Sequence, residues 1–198
     1  MEILVLLLSY LLGSIPIGLW IARLYNIDIT KVGSGNIGAT NIQRNIGWGP
    51  ALVVLAFDIF KGGLALYIGR QFGLTDFYLA ACALLAVLGH NYSLFLKFKG
   101  GKGVATSIGT LLVMNPLIGL GTAILAVGIM YLTRFVSAGS MMGGIAAVML
   151  LIYHGDPLWQ IVTASGLALL ILWTHRDNFK RLQSGTERRI GTPKDTPK

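Results

Sequence analysis

Long stretches without a single charge dominate this chain: residues 3–22, 77–96, 104–133, 135–155 and 157–174 contain no Asp, Glu, Lys or Arg. About 20 apolar residues in a helix cross a hydrocarbon core of ~30 Å, and inside that core every backbone N–H and C=O must find its partner within the protein. With 54% hydrophobic and only 12% charged residues, the 198-residue chain lies outside the range of soluble domains. An all-α, polytopic membrane protein forming one domain over 1–198 is therefore expected. A sixth apolar stretch, 46–69, is interrupted only by Asp58 and Lys61. Either charge alone at a helix centre would cost about 2.5–3.5 kcal/mol, so the two are expected to pair or to face an internal polar site.

The 104–133 stretch is long enough for one tilted helix or two short ones divided at Asn115-Pro116, where the proline favours an extended conformation just before it. The distribution of positive charge chooses between them. Two passages give seven transmembrane helices with the N-terminus outside and the C-terminus cytoplasmic, and put every Lys and Arg except Arg70 and Lys61 on the cytoplasmic side. One passage would move Arg134 and the basic C-terminal segment outside, against the positive-inside bias. On the seven-span reading the fourth helix, 104–114, is short, about 16 Å, and begins in a glycine-rich loop that re-enters the protein. Residues 184–198, polar and rich in Thr, Pro and Lys, read as a loose cytoplasmic tail.

The net charge of +8 comes with no nucleic-acid motif, and on so apolar a chain it points to lipid head groups or phosphorylated substrates. Cys82 has no second cysteine to pair with and reads as packing. His90 and His154 lack companions at metal-ligand spacing, and no metal or cofactor is implied. The Asn91-Tyr92-Ser93 sequon falls near the cytoplasmic face, where it is out of use.

Three loops carry chemistry. The first reads Gly33-Ser34-Gly35-Asn36-Ile37-Gly38-Ala39-Thr40-Asn41, followed by Arg44. It contains GxGxxG but lacks the strand–helix–strand context of a dinucleotide site. Its glycines would let backbone N–H groups approach an anion, Ser34, Asn36, Thr40 and Asn41 add donors, and Arg44 offers a bidentate fork. The second, Lys97 to Gly103, is not a phosphate-binding P-loop, because Leu96 stands where glycine is required and Gly103 follows Lys102 in place of Ser or Thr. Lys99, Gly100, Gly101, Lys102 and Gly103 still form a cationic nest before a helix N-terminus. The third starts at His175; if the last helix continues, His175 and Asn178 at i and i+3 share a face beside Lys180.

These three loops, in this order and on this hydropathy profile, closely resemble those of the bacterial acyl-phosphate-dependent glycerol-3-phosphate acyltransferases, the PlsY family. The first loop with Arg44 matches the family's first motif, His90 through Phe98–Thr106 its second, and His175 to Glu187 its third. The resemblance implies transfer of a fatty acyl group from acyl phosphate to the 1-hydroxyl of glycerol 3-phosphate in the bacterial cytoplasmic membrane, alongside the enzyme that supplies acyl phosphate. Acyltransferases that use thioesters rely on His followed four residues later by Asp, and none of His90, His154 or His175 has an Asp there.

On this reading Ser34, Asn36, Arg44 and Lys102 hold the acyl phosphate and stabilise charge developing at its carbonyl. Gly35, Gly38, Thr40, Asn41, Lys99, Gly100, Gly101 and Gly103 line the phosphates. His175, Asn178 and Lys180 position glycerol 3-phosphate, and either His175 or the donor's own phosphate takes the hydroxyl proton. A transporter would use similar loops, but no internal repeat is visible. A phosphatidyltransferase would need clustered aspartates, which the sequence lacks.

Overall fold

The computed structural model describes residues 1–191; Lys194 and Lys198, counted above with the cytoplasmic charge, lie outside them. The described residues fold into ten α-helices, α1 Glu2–Ser14, α2 Ile17–Leu24, α3 Ala39–Asn45, α4 Trp48–Gln71, α5 Asp76–Asn91, α6 Val104–Met114, α7 Pro116–Thr133, α8 Val136–His154, α9 Leu158–Thr174 and α10 Arg176–Gln183. Five segments are long and apolar enough to cross a membrane: Glu2–Leu24, Trp48–Gln71, Asp76–Leu96, Pro116–Thr133 and Val136–His154. Taking α9 together with α10 gives a sixth, although the pair bends by 59°. α6, the expected short passage, has 11 residues.

Prolines place two of the breaks. At Asn115-Pro116 the apolar run divides as the sequence implied: Pro116 opens α7, and Asn115 accepts a bond from the Ile118 N–H at 3.2 Å, a side-chain N-cap. The break at Ile15-Pro16 departs from the continuous helix expected over 3–22. Pro16 has no N–H to donate, and Ile15 is pushed to φ −57°, ψ 116°. The carbonyls this frees are taken up inside the bundle, Ser14 O by Ser93 Oγ at 2.5 Å and Ile15 O by Lys61 Nζ at 2.9 Å.

That accounts for the charges buried in α4. Lys61 Nζ also lies 2.8 Å from Asp58 Oδ1, so the ammonium caps a broken helix and is neutralised by the residue one turn earlier. His90 of α5 approaches the same Asp58 oxygen at 3.4 Å. The expected pairing is present, in a three-residue cluster that the sequence did not reveal.

Small residues bring the helices together. A Cβ on Gly109 of α6 would fall 1.9 Å from Ile59 O of α4, and one on Gly13 of α1 would fall 1.9 Å from Ala86 O of α5. In lipid, where burial of apolar surface gives no drive between helices, such backbone-to-backbone packing is what holds a bundle. The outer surface is correspondingly apolar, with Leu7, Phe57, Phe60, Ile124, Val127 and Met149 among the exposed side chains. The first turn of α6 does not start at the loop end of the bundle: Thr106 O meets Gly62, well inside α4. Along 92–103, Tyr92, Leu94, Phe95, Lys97, Phe98 and Lys99 are exposed while Gly101 and Gly103 are buried, so the end of this segment enters the protein just before α6 begins.

Candidate active site

The first loop is built around Asn41. Its side chain is 3% exposed, and its amide donates to Ile29 O (3.3 Å), Val32 O (3.1 Å) and Asn36 O (2.9 Å) while its oxygen accepts from Ser34 N at 3.1 Å and Asn45 Nδ2 at 3.0 Å. Expected as a donor to the anion, Asn41 instead has all its capacity used within the loop, because a glycine-rich turn offers buried carbonyls no regular partners. Gly33 and Gly35 have φ of +61° and +68°, a region in which a side chain is strained. Ile29, Ile37 and Ile42 pack with Leu19 and Val54, fixing the loop to α2 and α4.

Ser34 is exposed at the lip of this loop, its Oγ accepting Asn36 N at 3.4 Å. Asn36 turns its own oxygen to Gly38 N at 2.8 Å, so Gly38 serves as the start of α3. Thr40 is half-buried in the first turn of that helix. Where a loop was expected, α3 carries Arg44, whose Nη2 donates to Arg188 O at 3.4 Å.

The second loop is held differently. Gly101 N donates to His90 O at 2.9 Å, and a Cβ on Gly101 would fall 1.9 Å from His90 Nε2, one on Gly100 2.1 Å from His90 O. Both glycines were expected to line a phosphate; the structure seats them on the end of α5. Gly103, at φ +78°, opens α6 with no side-chain cap on its first N–H groups. Lys99 is exposed and forms no ion pair among the described residues.

Lys102 is the cation that turns inward. Its Nζ donates to Asn178 Oδ1, and its carbonyl accepts from Thr174 Oγ1 at 3.1 Å. Asn178 Nδ2 donates to Glu187 Oε1 at 2.6 Å, and Glu187 also accepts Ser137 Oγ at 2.7 Å and Arg181 Nε at 2.7 Å. Sequence reasoning gave Ser137 no place in the site and Glu187 no role beyond closing the third motif. The signals available for Glu187 were that motif and a lone carboxylate among Arg181, Arg188 and Arg189; Ser137 had none. The same bonds correct the reading of 184–198 as loose from its start, since Glu187 is tied down and Ile190 N donates to Arg134 O at 2.8 Å. Residues 192–198 of that expected tail lie outside the described ones.

The bend between α9 and α10 falls at His175, so the helix does not run straight on as the sequence reading supposed. His175 and Asn178 are nevertheless both buried and face the bundle. Lys180, two residues on from Asn178 and about 200° around the helix, is exposed and stays outside the cluster, contrary to expectation. His175 Nδ1 lies 2.8 Å from Ile171 O. A carbonyl only accepts, so Nδ1 carries the proton and Nε2 keeps its lone pair.

Electrostatics set this end apart. Burial, and then the charge of Lys102, pushes the His175 pKa down to about 4, which leaves the imidazole neutral at pH 7. Burial takes Lys102 down to about 8, against the pull of Glu187 and with a push from Arg181 and Arg44. Arg44 is also held below the usual guanidinium value, by burial and then by Arg188. Arg44, Lys102, Arg181 and Glu187 thus feel one another, with cations in excess: a site short of negative charge. No hydrogen bond among the described residues joins Ser34 or Asn36 to Lys102 or His175.

Residues 3–185 match the glycerol-3-phosphate acyltransferase family. The chain belongs to that family. It is 61% identical over 186 residues to a glycerol-3-phosphate acyltransferase of Thermus thermophilus, covering 94% of each chain, and 53% identical to glycerol-3-phosphate acyltransferase 1 of Deinococcus radiodurans, covering 96% of each. Crystal structures of PlsY, an integral membrane glycerol 3-phosphate acyltransferase, in its glycerol 3-phosphate and lysophosphatidic acid forms superpose with TM-scores of 0.92 and 0.90 at 38% identity, covering 96% of each chain. This acyltransferase is accordingly a multi-pass integral membrane enzyme.

Proposed function

We propose that this acyltransferase moves a fatty acyl group from acyl phosphate to the 1-hydroxyl of glycerol 3-phosphate, giving lysophosphatidic acid and inorganic phosphate. The observation that carries the reading is the cluster in which Lys102, Asn178 and the neutral His175 meet beside Arg44. Two cations in a half-buried site suit substrates that each bring a phosphate. Arg44, Lys102, Ser34 and Asn36 take the donor's phosphate, and the uncapped N–H groups at the start of α6 add partial positive charge. Charge gathering on the carbonyl oxygen as the hydroxyl attacks is met by donors already in place.

His175 Nε2 and Asn178 then orient glycerol 3-phosphate. With a pKa near 4, His175 is a weak base, and its Nδ1 partner is a main-chain carbonyl in place of the carboxylate of a His-Asp pair. It accepts the hydroxyl's hydrogen bond, while the proton ends on the departing phosphate. The new C–O ester bond forms, the acyl C–O–P linkage opens at its carbon side, and hydrogen phosphate leaves, so charge and protons balance without a further base. The phosphates sit at the cytoplasmic face of a bacterial inner membrane, in a chain crossing seven times with α6 as the short fourth passage. The acyl chain lies in lipid or between helices, and the enzyme that makes acyl phosphate delivers it at that face.

Purified protein in detergent, given radiolabelled glycerol 3-phosphate and acyl phosphate, acyl-CoA or acyl carrier protein in turn, tests the reading. Labelled lysophosphatidic acid is expected with acyl phosphate alone; product formed only with a thioester would overturn it.

A further inference from the structure

Lys102 is reached from the interior of the bundle through an unbroken series of contacts. Pro16 frees Ile15 O, which Lys61 caps at 2.9 Å. Lys61 pairs with Asp58 at 2.8 Å, and Asp58 Oδ1 stands 3.4 Å from His90 Nδ1. His90, 3% exposed, presents both its carbonyl and its ring to the next segment: the carbonyl takes the Gly101 N–H at 2.9 Å, and the ring leaves no room for a Cβ on Gly101. Gly101 is not among the positive-φ glycines, so its conformation is open to any residue and only the contact with His90 demands a glycine. The next residue is Lys102, held from the other side by Thr174 and Asn178.

The geometry points to His90 as a positioning residue for this reaction: packed beside the Asp58–Lys61 pair, its ring is the floor on which Gly101 rests, and the height of that floor sets where Lys102 presents its ammonium. The inference rests on the assignment of Lys102 to a substrate phosphate. It reads Gly101 as glycine for the sake of the ring beneath it, not for an anion above it.

A double-mutant cycle separates the two. Lys102→Ala first establishes which KM, that for acyl phosphate or that for glycerol 3-phosphate, depends on the ammonium. Gly101→Ala is expected to raise the same KM by at least about tenfold in the native background, because the added methyl lifts the loop off the ring. In the His90→Ala background, where that space is open, Gly101→Ala is expected to raise it less than about threefold. Loss of folded protein would lower the apparent kcat and leave KM alone, so the effect is read in KM on the monodisperse fraction.

An equal rise in both backgrounds, or a fall in kcat with KM unchanged, would overturn the inference. Should His90→Ala fail to accumulate, Gly101→Ala and Lys102→Ala are compared directly, and a rise in different KM values would overturn it equally. Unchanged kinetics in Lys102→Ala would instead remove the site assignment on which it rests.

Discussion

The two glycine-rich loops of this acyltransferase look alike as text and are held in opposite ways. The first is supported from within: Asn41 fills its centre, and Gly33 and Gly35 supply left-handed turns. The second is supported from below: Gly100 and Gly101 rest on His90 and are not at positive φ, while the left-handed positions of this loop are Lys97, Phe98 and Gly103, at φ 52°, 61° and 78°. Gly35 supplies curvature, Gly100 and Gly101 supply thinness, and Gly33 and Gly103 supply both, a Cβ on them falling 2.3 Å and 2.7 Å from the side-chain oxygens of Asn41 and Asn91; none of these uses requires an anion at that glycine. What the loops share is that each delivers one inward-turning cation, Arg44 from α3 and Lys102 from the residue before Gly103.

If the first loop hangs on Asn41, its removal has the largest effect. Asn41→Ala strands the buried carbonyl of Ile29 and the half-buried carbonyls of Val32 and Asn36, a lost bond to a buried group costing about 1–3 kcal/mol. A clear fall in the thermal unfolding midpoint of the solubilised protein is expected, with activity lost alongside it. An unchanged midpoint would mean the loop is held elsewhere. Gly35→Ala should cost less, about 1–2 kcal/mol for an alanine forced to left-handed φ, and Gly35→Asn should recover most of it, since asparagine tolerates that region. Failure of asparagine to recover anything would make contact, not curvature, the reason for glycine there too.

The cations answer to pH. Lys102 works protonated, and its pKa near 8 means that the charged form is present below pH 8 and is lost as pH rises through it. The kcat/KM profile should fall above about pH 8, and in Lys102→Arg that alkaline limb should move upward because guanidinium stays charged. An unmoved limb assigns it to another group. The smallest effect belongs to Lys99, exposed on the same loop: Lys99→Ala should change kcat/KM less than about twofold, as a surface charge outside the network.

Much of this was legible in the sequence. Charge-free runs gave the helices, Asn115-Pro116 gave the division before α7, and loop chemistry picked out Arg44, Lys102, His175 and Asn178, which the structure brings to one end of the bundle. Other features were hidden for physical reasons. Pro16 broke the first helix because Lys61 and Ser93, far away in sequence, were there to take its carbonyls. Asn41 and Gly101 carried the composition of a phosphate nest, and only three-dimensional contact reveals that the Asn41 side chain and the Gly101 N–H are bonded within the protein. Glu187 was legible only as the last residue of the third motif and as part of a polar tail, because its partners Ser137, Asn178 and Arg181 converge on it only after α9 bends into α10.

The central claim is that the two inward cations bind substrate phosphate, and kinetics of the purified, monodisperse Lys102→Ala and Arg44→Ala proteins with acyl phosphate and glycerol 3-phosphate test it most directly. A charge-assisted hydrogen bond is worth about 1.5–3 kcal/mol, so each variant should lose at least about tenfold in kcat/KM, with Arg44→Lys recovering only part because it lacks the fork. Kinetics close to those of the native protein in either alanine variant would contradict the account.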